Sequence, residues 1–201
     1  MPYRETVQIR ERKAAQRQAL LEAAEALVRE QGFAGLTIQA LAARARVAVG
    51  TVYRYFDGKQ ELATEVFRTA TEREVRAVEA AMQGGGGSVV ERLRRALRVF
   101  AERALKAPRL AWALIAEPVA PAVDQARLEY RVVWGELFRG LLAEGIAAGE
   151  LPEQDTERVA PALVGAMAET LIGPLAAPGR DDRRVIETLE TFCLRATGAM
   201  P

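Results

Sequence analysis

Apolar residues along this chain recur with a helical period and rarely alternate as a strand would. Leu20, Ala24, Leu27 and Val28 fall at i, i+4, i+7 and i+8 and mark one face of a first helix. Gly32 follows, suited to the left-handed position that ends a helix. Val89, Leu93, Leu97, Phe100 and Ala104 form a second stripe, and Tyr130, Trp134, Leu137, Phe138, Leu141 and Leu142 a third. Val159, Leu163, Met167 and Leu171 make a fourth, and Ile186, Leu189, Phe192, Cys193 and Ala196 a fifth. The pattern predicts an all-α protein.

Helix-breaking residues separate these stripes. The run Gly84–Ser88 reads as a flexible loop whose Ser88 caps a helix starting at Val89. Pro108, Pro118, Pro121 and Pro152 fall at breaks, while Pro161 lies inside the fourth stripe, so that helix starts late or kinks. Pro174, Pro178 and Gly179 divide it from the last helix, whose first turn carries Asp181 and Asp182 at the positive end of the dipole.

Residues 36–62 carry the most informative local pattern. Thr37 is placed to cap a short helix with Leu41, Ala42 and Ala45 on its apolar face. Arg46, Val47 and Ala48 then make a tight turn, and Val49 to Phe56 predicts a second short helix. Val52 and Phe56 face inward together, leaving Gly50, Tyr53 and Arg54 outward. Two short helices joined by a three-residue turn, resting on a longer preceding helix, match a helix-turn-helix.

The outward face suits DNA. Gly50 lets the backbone approach a duplex closely, and Tyr53 and Tyr55 can donate hydroxyl hydrogen bonds to phosphate. Lys59 supplies a point charge for the backbone, and Val49 and Thr51 can read major-groove edges. With Thr37, Arg46, Ala48 and Arg54 these form the candidate DNA-binding set. Arg44 and the N-terminal Arg4, Arg10, Arg12 and Lys13 can reach phosphate or stay solvated; Glu5 and Glu11 lie among the latter.

Net charge first argues against a nucleic-acid partner, because 28 Lys+Arg stand against 27 Asp+Glu in 201 residues. Residues 1–60, however, hold ten basic and six acidic side chains, leaving 18 basic against 21 acidic in the rest. The positive charge is concentrated where the motif lies. The chain has no histidine and one cysteine, which removes His-dependent zinc sites, Ser-His and Cys-His nucleophiles and internal disulfides. No catalytic residue, cofactor or metal site is expected. The charged N-terminus is unlike a signal peptide, and the stretch Val159–Leu175 falls short of the ~20 residues a membrane span needs. A cytoplasmic protein with no membrane association is the expectation.

The run T-x-x-x-L-A-x-x-A-x-V-x-x-G-T-x-Y-x-Y-F-x-x-K-x-x-L, from Thr37 to Leu62, resembles the DNA-binding signature of TetR-family transcriptional regulators. Leu20 to Phe33 is similar to that family's first helix. Two positions depart from the family's pattern: Arg46 stands where Gly is usual in the turn, and Ala48 replaces a frequent Ser or Thr. The resemblance implies an N-terminal arm and three-helix DNA-binding domain over 1–62, and a larger helical effector-binding and dimerisation domain over 63–201. It implies a homodimer on a palindromic operator, released by a small and largely apolar effector. Dimerisation would run through helices near 155–173 and 181–198, with Leu163, Ala166, Leu189, Phe192 and Cys193 on the packing surface. The effector cavity would lie among the middle helices, lined by Phe100, Trp112, Tyr130, Trp134, Phe138 and Met167, with Arg103, Glu117, Arg131 or Glu169 orienting its occupant. Two other readings stay open: a helix-turn-helix protein that binds DNA constitutively, and a helical-bundle enzyme, for which no positive signal exists.

Overall fold

The computed structural model describes residues 7–177 and 179–199; Arg4, Glu5 and Pro178 lie outside them. Nine helices and no strand occur among the described residues. They are α1 (Val7–Gln31), α2 (Ile38–Ala45), α3 (Val49–Tyr53), α4 (Lys59–Gln83), α5 (Val89–Lys106), α6 (Pro108–Ile115), α7 (Pro121–Ala147), α8 (Thr156–Ala176) and α9 (Asp182–Ala196). Local sequence explains most of the boundaries. Thr37 Oγ1 accepts from Ala40 N at 3.0 Å and starts α2. Ser88 and Glu91 cap each other's amides at the start of α5, and Asp181 caps α9. Pro108 and Pro121 sit in the first turns of α6 and α7, where the missing amide costs nothing.

Three expectations shift. Helix α1 covers Val7–Gln31 among the described residues, so Arg10, Arg12 and Lys13 belong to it rather than to an extended arm. Helix α3 closes at Tyr53, and Arg54 and Tyr55 turn the chain toward Phe56, whose amide still bonds the Val52 carbonyl at 3.1 Å. Helix α8 spans 21 residues with both Pro161 and Pro174 inside it. It is therefore long and apolar enough to cross a membrane by length and composition, contrary to the shorter stretch read from its stripe. In the fold it packs on α6, α7 and α9 through Leu163, Met167 and Leu171.

Three apolar clusters organise the packing. The first joins α1, α2 and α3 through Leu20, Leu41, Val52 and Phe56 to Leu62, Val66 and Phe67 of α4, and to Leu110 and Val123. The second gathers the far end of α4 with α5, α7, α8 and α9 around Leu97, Phe138, Met167 and Leu189. The third joins Ala104 and Leu105 to Ala111, Leu171 and Leu175. Helix α4 is continuous through the boundary expected at 62/63 and contributes to the first two clusters. The motif is thus built into the body rather than strung from it.

The turn between α2 and α3 adopts the geometry that the Gly-to-Arg departure raised. Arg46 sits at φ 55°, ψ 44°, in the left-handed region, with its amide bonded to the Ala43 carbonyl and that of Val47 to Ala42. Ala48 begins α3 with no side-chain cap. Arg46→Gly is expected to stabilise the fold by about 1 kcal/mol by removing the Cβ penalty, and Ala48→Ser by about 1 kcal/mol by supplying a cap. Equilibrium denaturant unfolding measures both, and two variants no more stable than the parent would contradict this account of the turn.

Candidate nucleic-acid interface and the cavity behind it

Val52 and Phe56 are buried against α1 and α2, which turns the opposite side of α3 to solvent. Val49 is 39% exposed and Tyr53 53% exposed, unusual for side chains of this size on so small a module. No heavy atom lies within 4 Å of the position a Cβ would take on Gly50. Thr37, Arg46, Ala48, Arg54 and Lys59 are also exposed, and Thr51 is half-buried. The set read from the sequence thus forms an open surface around α3 and its preceding turn.

Two members of the basic neighbourhood have intramolecular work. The Tyr55 hydroxyl donates to Gln16 Oε1 at 2.8 Å, so it braces α1 instead of projecting freely. Arg44 makes a two-pronged ion pair with Glu30, both bonds 2.7 Å, and the hydrogen bonds hold the Glu30 carboxyl below its ordinary range. Arg54 lies 5.7 Å from the Tyr55 ring and Arg17 5.1 Å from the Phe56 ring. Arg54 extends the cationic surface while covering an aromatic face, whereas Arg17 is also paired with Glu65 of α4.

A cavity of about 370 Å³ opens where the three clusters meet. Phe100, Tyr130, Trp134 and Met167 line it, together with Phe67 of α4 and Leu110 of α6. Its aromatics pair edge to face, Phe67 with Tyr130 at 6.0 Å and Phe100 with Trp134 at 5.7 Å between centroids. Two expected members lie elsewhere. Phe138, one turn beyond Trp134, is fully buried in the second cluster. Trp112 is half-buried and points off the other side of α6 from Leu110 and Leu114, which do reach the cavity. Arg103 and Arg131 line it, whereas Glu117 and Glu169 do not. Phe67 and Thr71 lie on the apolar stripe of α4 with Leu62, Val66 and Ala70, and helical spacing alone does not mark which of these residues meets a cavity.

A chain of contacts leads from this cavity to the helix-turn-helix. Arg127 lines the cavity, lies 5.7 Å from the Phe67 ring and donates to the carbonyls of Leu114 at 3.0 Å and Glu117 at 2.9 Å. It thereby holds the segment between α6 and α7. The Glu117 carboxylate in that segment accepts from the amides of Phe33 at 2.9 Å and Ala34 at 3.0 Å, just past the end of α1. Gly32 makes room, since a Cβ there would lie 2.7 Å from Glu117 Oε2, and its φ is +73°. A second tie joins Glu25 of α1 to Arg73 of α4 at 2.7 and 2.8 Å. Burial pushes the Glu25 carboxyl up, but Arg73 and Arg29 together outweigh it and hold the group below its ordinary range.

The helices α8 and α9 present a different surface from the one expected. Leu163, Leu189 and Cys193 are buried within the chain's own second cluster, because their stripe faces α5 and α7. Burial also pushes the Cys193 thiol up to about 12, which leaves it unreactive. Ala166 is half-buried, and Phe192 is 57% exposed.

The Glu117 contact can be tested alone. Glu117→Ala is expected to cost about 2 kcal/mol by leaving the partly buried Phe33 amide and the exposed Ala34 amide without their charged acceptor. Gly32→Ala should also destabilise, through its positive φ and the collision with the same carboxylate. In a double-mutant cycle the two losses should sum to more than the double variant loses. Additive losses would show that the two residues do not share one contact.

Residues 20–66 match the profile of the bacterial regulatory proteins, tetR family. An uncharacterised HTH-type transcriptional regulator of Mycobacterium tuberculosis is 42% identical over 66 residues, which span 33% of this chain and 31% of that protein. The crystal structure of a TetR-like transcriptional regulator from Rhodococcus sp. RHA1 is 27% identical with a TM-score of 0.71, covering 93% of this chain and 98% of that one. The transcriptional regulator FadR from Bacillus subtilis, solved with stearoyl-CoA, shares the fold at a TM-score of 0.76 and 19% identity, covering 92% and 99%. Residues 20–66, the helix-turn-helix and the start of α4, are thus similar to the tetR family of bacterial regulatory proteins, and the whole chain shares the fold of a TetR-like regulator.

Proposed function

We propose that the protein is a homodimeric transcriptional repressor that leaves a palindromic operator when a small molecule occupies the cavity. It is a DNA-binding regulator and not an enzyme. The observation that carries the proposal is the pairing of an open, partly basic face around α3 with a cavity wired to the same module through Arg127 and Glu117. A solid body would favour constitutive DNA binding, and the cavity at the junction of the clusters supports sensing instead. The FadR structure of the same fold is a complex with stearoyl-CoA, which supports an effector of substantial apolar character. The effector shifts the equilibrium only by binding the DNA-competent and released forms unequally. Movement of the segment between α6 and α7 supplies the difference, because Glu117 there sets the position of the turn after α1.

Dimerisation through α8 and α9 accounts for two surface features. Helix α8 is strongly apolar, yet only 28% of its most apolar window is buried within the chain. Phe192 projects from α9 with 57% exposure, and Thr188 and Thr191 lie beside it. A second copy packed across the two helices would cover both faces, and one twofold axis would present two α3 surfaces to successive half-sites. Such a protein acts in the cytoplasm.

Titration of the DNA flanking its own gene at increasing salt tests the interface. Affinity should fall steeply, and Lys59→Ala should weaken binding across sequences and reduce the salt slope by about 1. Tyr53→Phe should weaken it while leaving the slope unchanged. Binding that ignores salt would sink this reading. Phe192→Arg should convert the dimer to a monomer in sedimentation equilibrium and lower operator affinity with it; a dimer that survives the substitution would move the interface elsewhere.

A further inference from the structure

The cavity carries more charge than an apolar effector calls for. Five cationic side chains line it, Arg29, Arg103, Lys106, Arg127 and Arg131, against the single carboxylate of Glu74. Three of the five are spoken for. Arg103 forms a two-pronged pair with Glu74, Arg29 pairs with Glu25 at 3.1 Å, and Arg127 is held by Asp124 and backbone carbonyls. Lys106 at the end of α5 and Arg131 on α7 make no ion pair or hydrogen bond among the described residues. Both are exposed, so they stand at the rim while the aromatic pairs form the wall.

A second observation points the same way. Thr71 of α4 lines the cavity, is 7% exposed, and has a hydroxyl with no hydrogen-bond partner in the described structure. Threonines in helices ordinarily return such a hydroxyl to a backbone carbonyl one turn earlier. A buried hydroxyl left unpaired is unfavourable, and a ligand oxygen would satisfy it.

Resting on the effector reading above, we propose that the cavity takes an amphipathic monocarboxylate. Its apolar body lies between Phe67, Phe100 and Trp134, and its carboxylate meets Lys106 and Arg131. An oxygen of the same molecule bonds Thr71 Oγ1. The charge sets which apolar molecules enter, since a neutral analogue would leave the rim cations no better matched than in water.

Isothermal titration calorimetry on the intact protein tests this with four probes: octanoate, octan-1-ol, 1-naphthoate and 1-naphthol. At least one carboxylate should bind tenfold or more tightly than its own alcohol, and added salt should erode that preference. Whether octanoate or 1-naphthoate shows the larger preference separates acyl from aryl acids. In the Lys106→Gln, Arg131→Gln double variant the preference should shrink below threefold while the alcohol binds as before. Both residues are exposed, and unchanged thermal unfolding would show that the variant folds. Alcohols that bind as well as their acids overturn the anionic class and leave the effector site standing. If none of the four probes binds, the effector reading falls together with the proposal.

Discussion

One carboxylate ties the two ends of this molecule together. Glu117 reaches from the segment between α6 and α7 to the amides of Phe33 and Ala34, more than eighty residues earlier in the chain. A charged acceptor on two amides is among the stronger hydrogen-bonding arrangements available to a protein. It also demands a residue without a side chain beneath it, which Gly32 provides. Because the same segment is gripped by Arg127, the turn after α1 is positioned from the cavity wall. The contact therefore joins the core of the helix-turn-helix to the wall of the cavity.

Helix α4 adds a rigid component to this link. Its N-terminal half packs in the core of the helix-turn-helix and its C-terminal half packs with α5, so it cannot rotate in one place without moving in the other. Phe67 and Thr71 sit between those halves and face the cavity. A molecule held there would press on the middle of a 25-residue helix. Ion pairs from α4 to α1, α5 and α7 resist the motion; the guanidiniums are solvent-exposed, so screening limits how strongly each pair restrains it.

Much of this was visible in the residue pattern, and the exceptions have physical reasons. Capping by Thr37 and Ser88 follows from local chemistry and the structure shows both, while Asp181, expected within the first turn of α9, caps it instead. The candidate DNA-facing residues were legible because their signal is local: apolar Val52 and Phe56 point in, so Tyr53 and Gly50 point out. Tertiary partners were not legible. Nothing near Tyr55 in sequence announces Gln16, and nothing near Glu117 announces the Phe33 amide. The stripes of α8 and α9 were readable as apolar but not as facing inward, so Leu163, Leu189 and Cys193 were assigned to an outer surface. Phe138 and Trp112 failed as cavity residues for a similar reason, since helical spacing says which residues share a face and not what that face meets.

The proposed function joins operator recognition and occupancy of the cavity in one chain. Footprinting on the DNA flanking its own gene, with and without octanoate or 1-naphthoate, tests it most directly. A protected, twofold-symmetric site of two half-sites about one helical turn apart is expected, lost when a carboxylate shown by calorimetry to fill the cavity is added. Protection that persists unchanged with the cavity filled would contradict it.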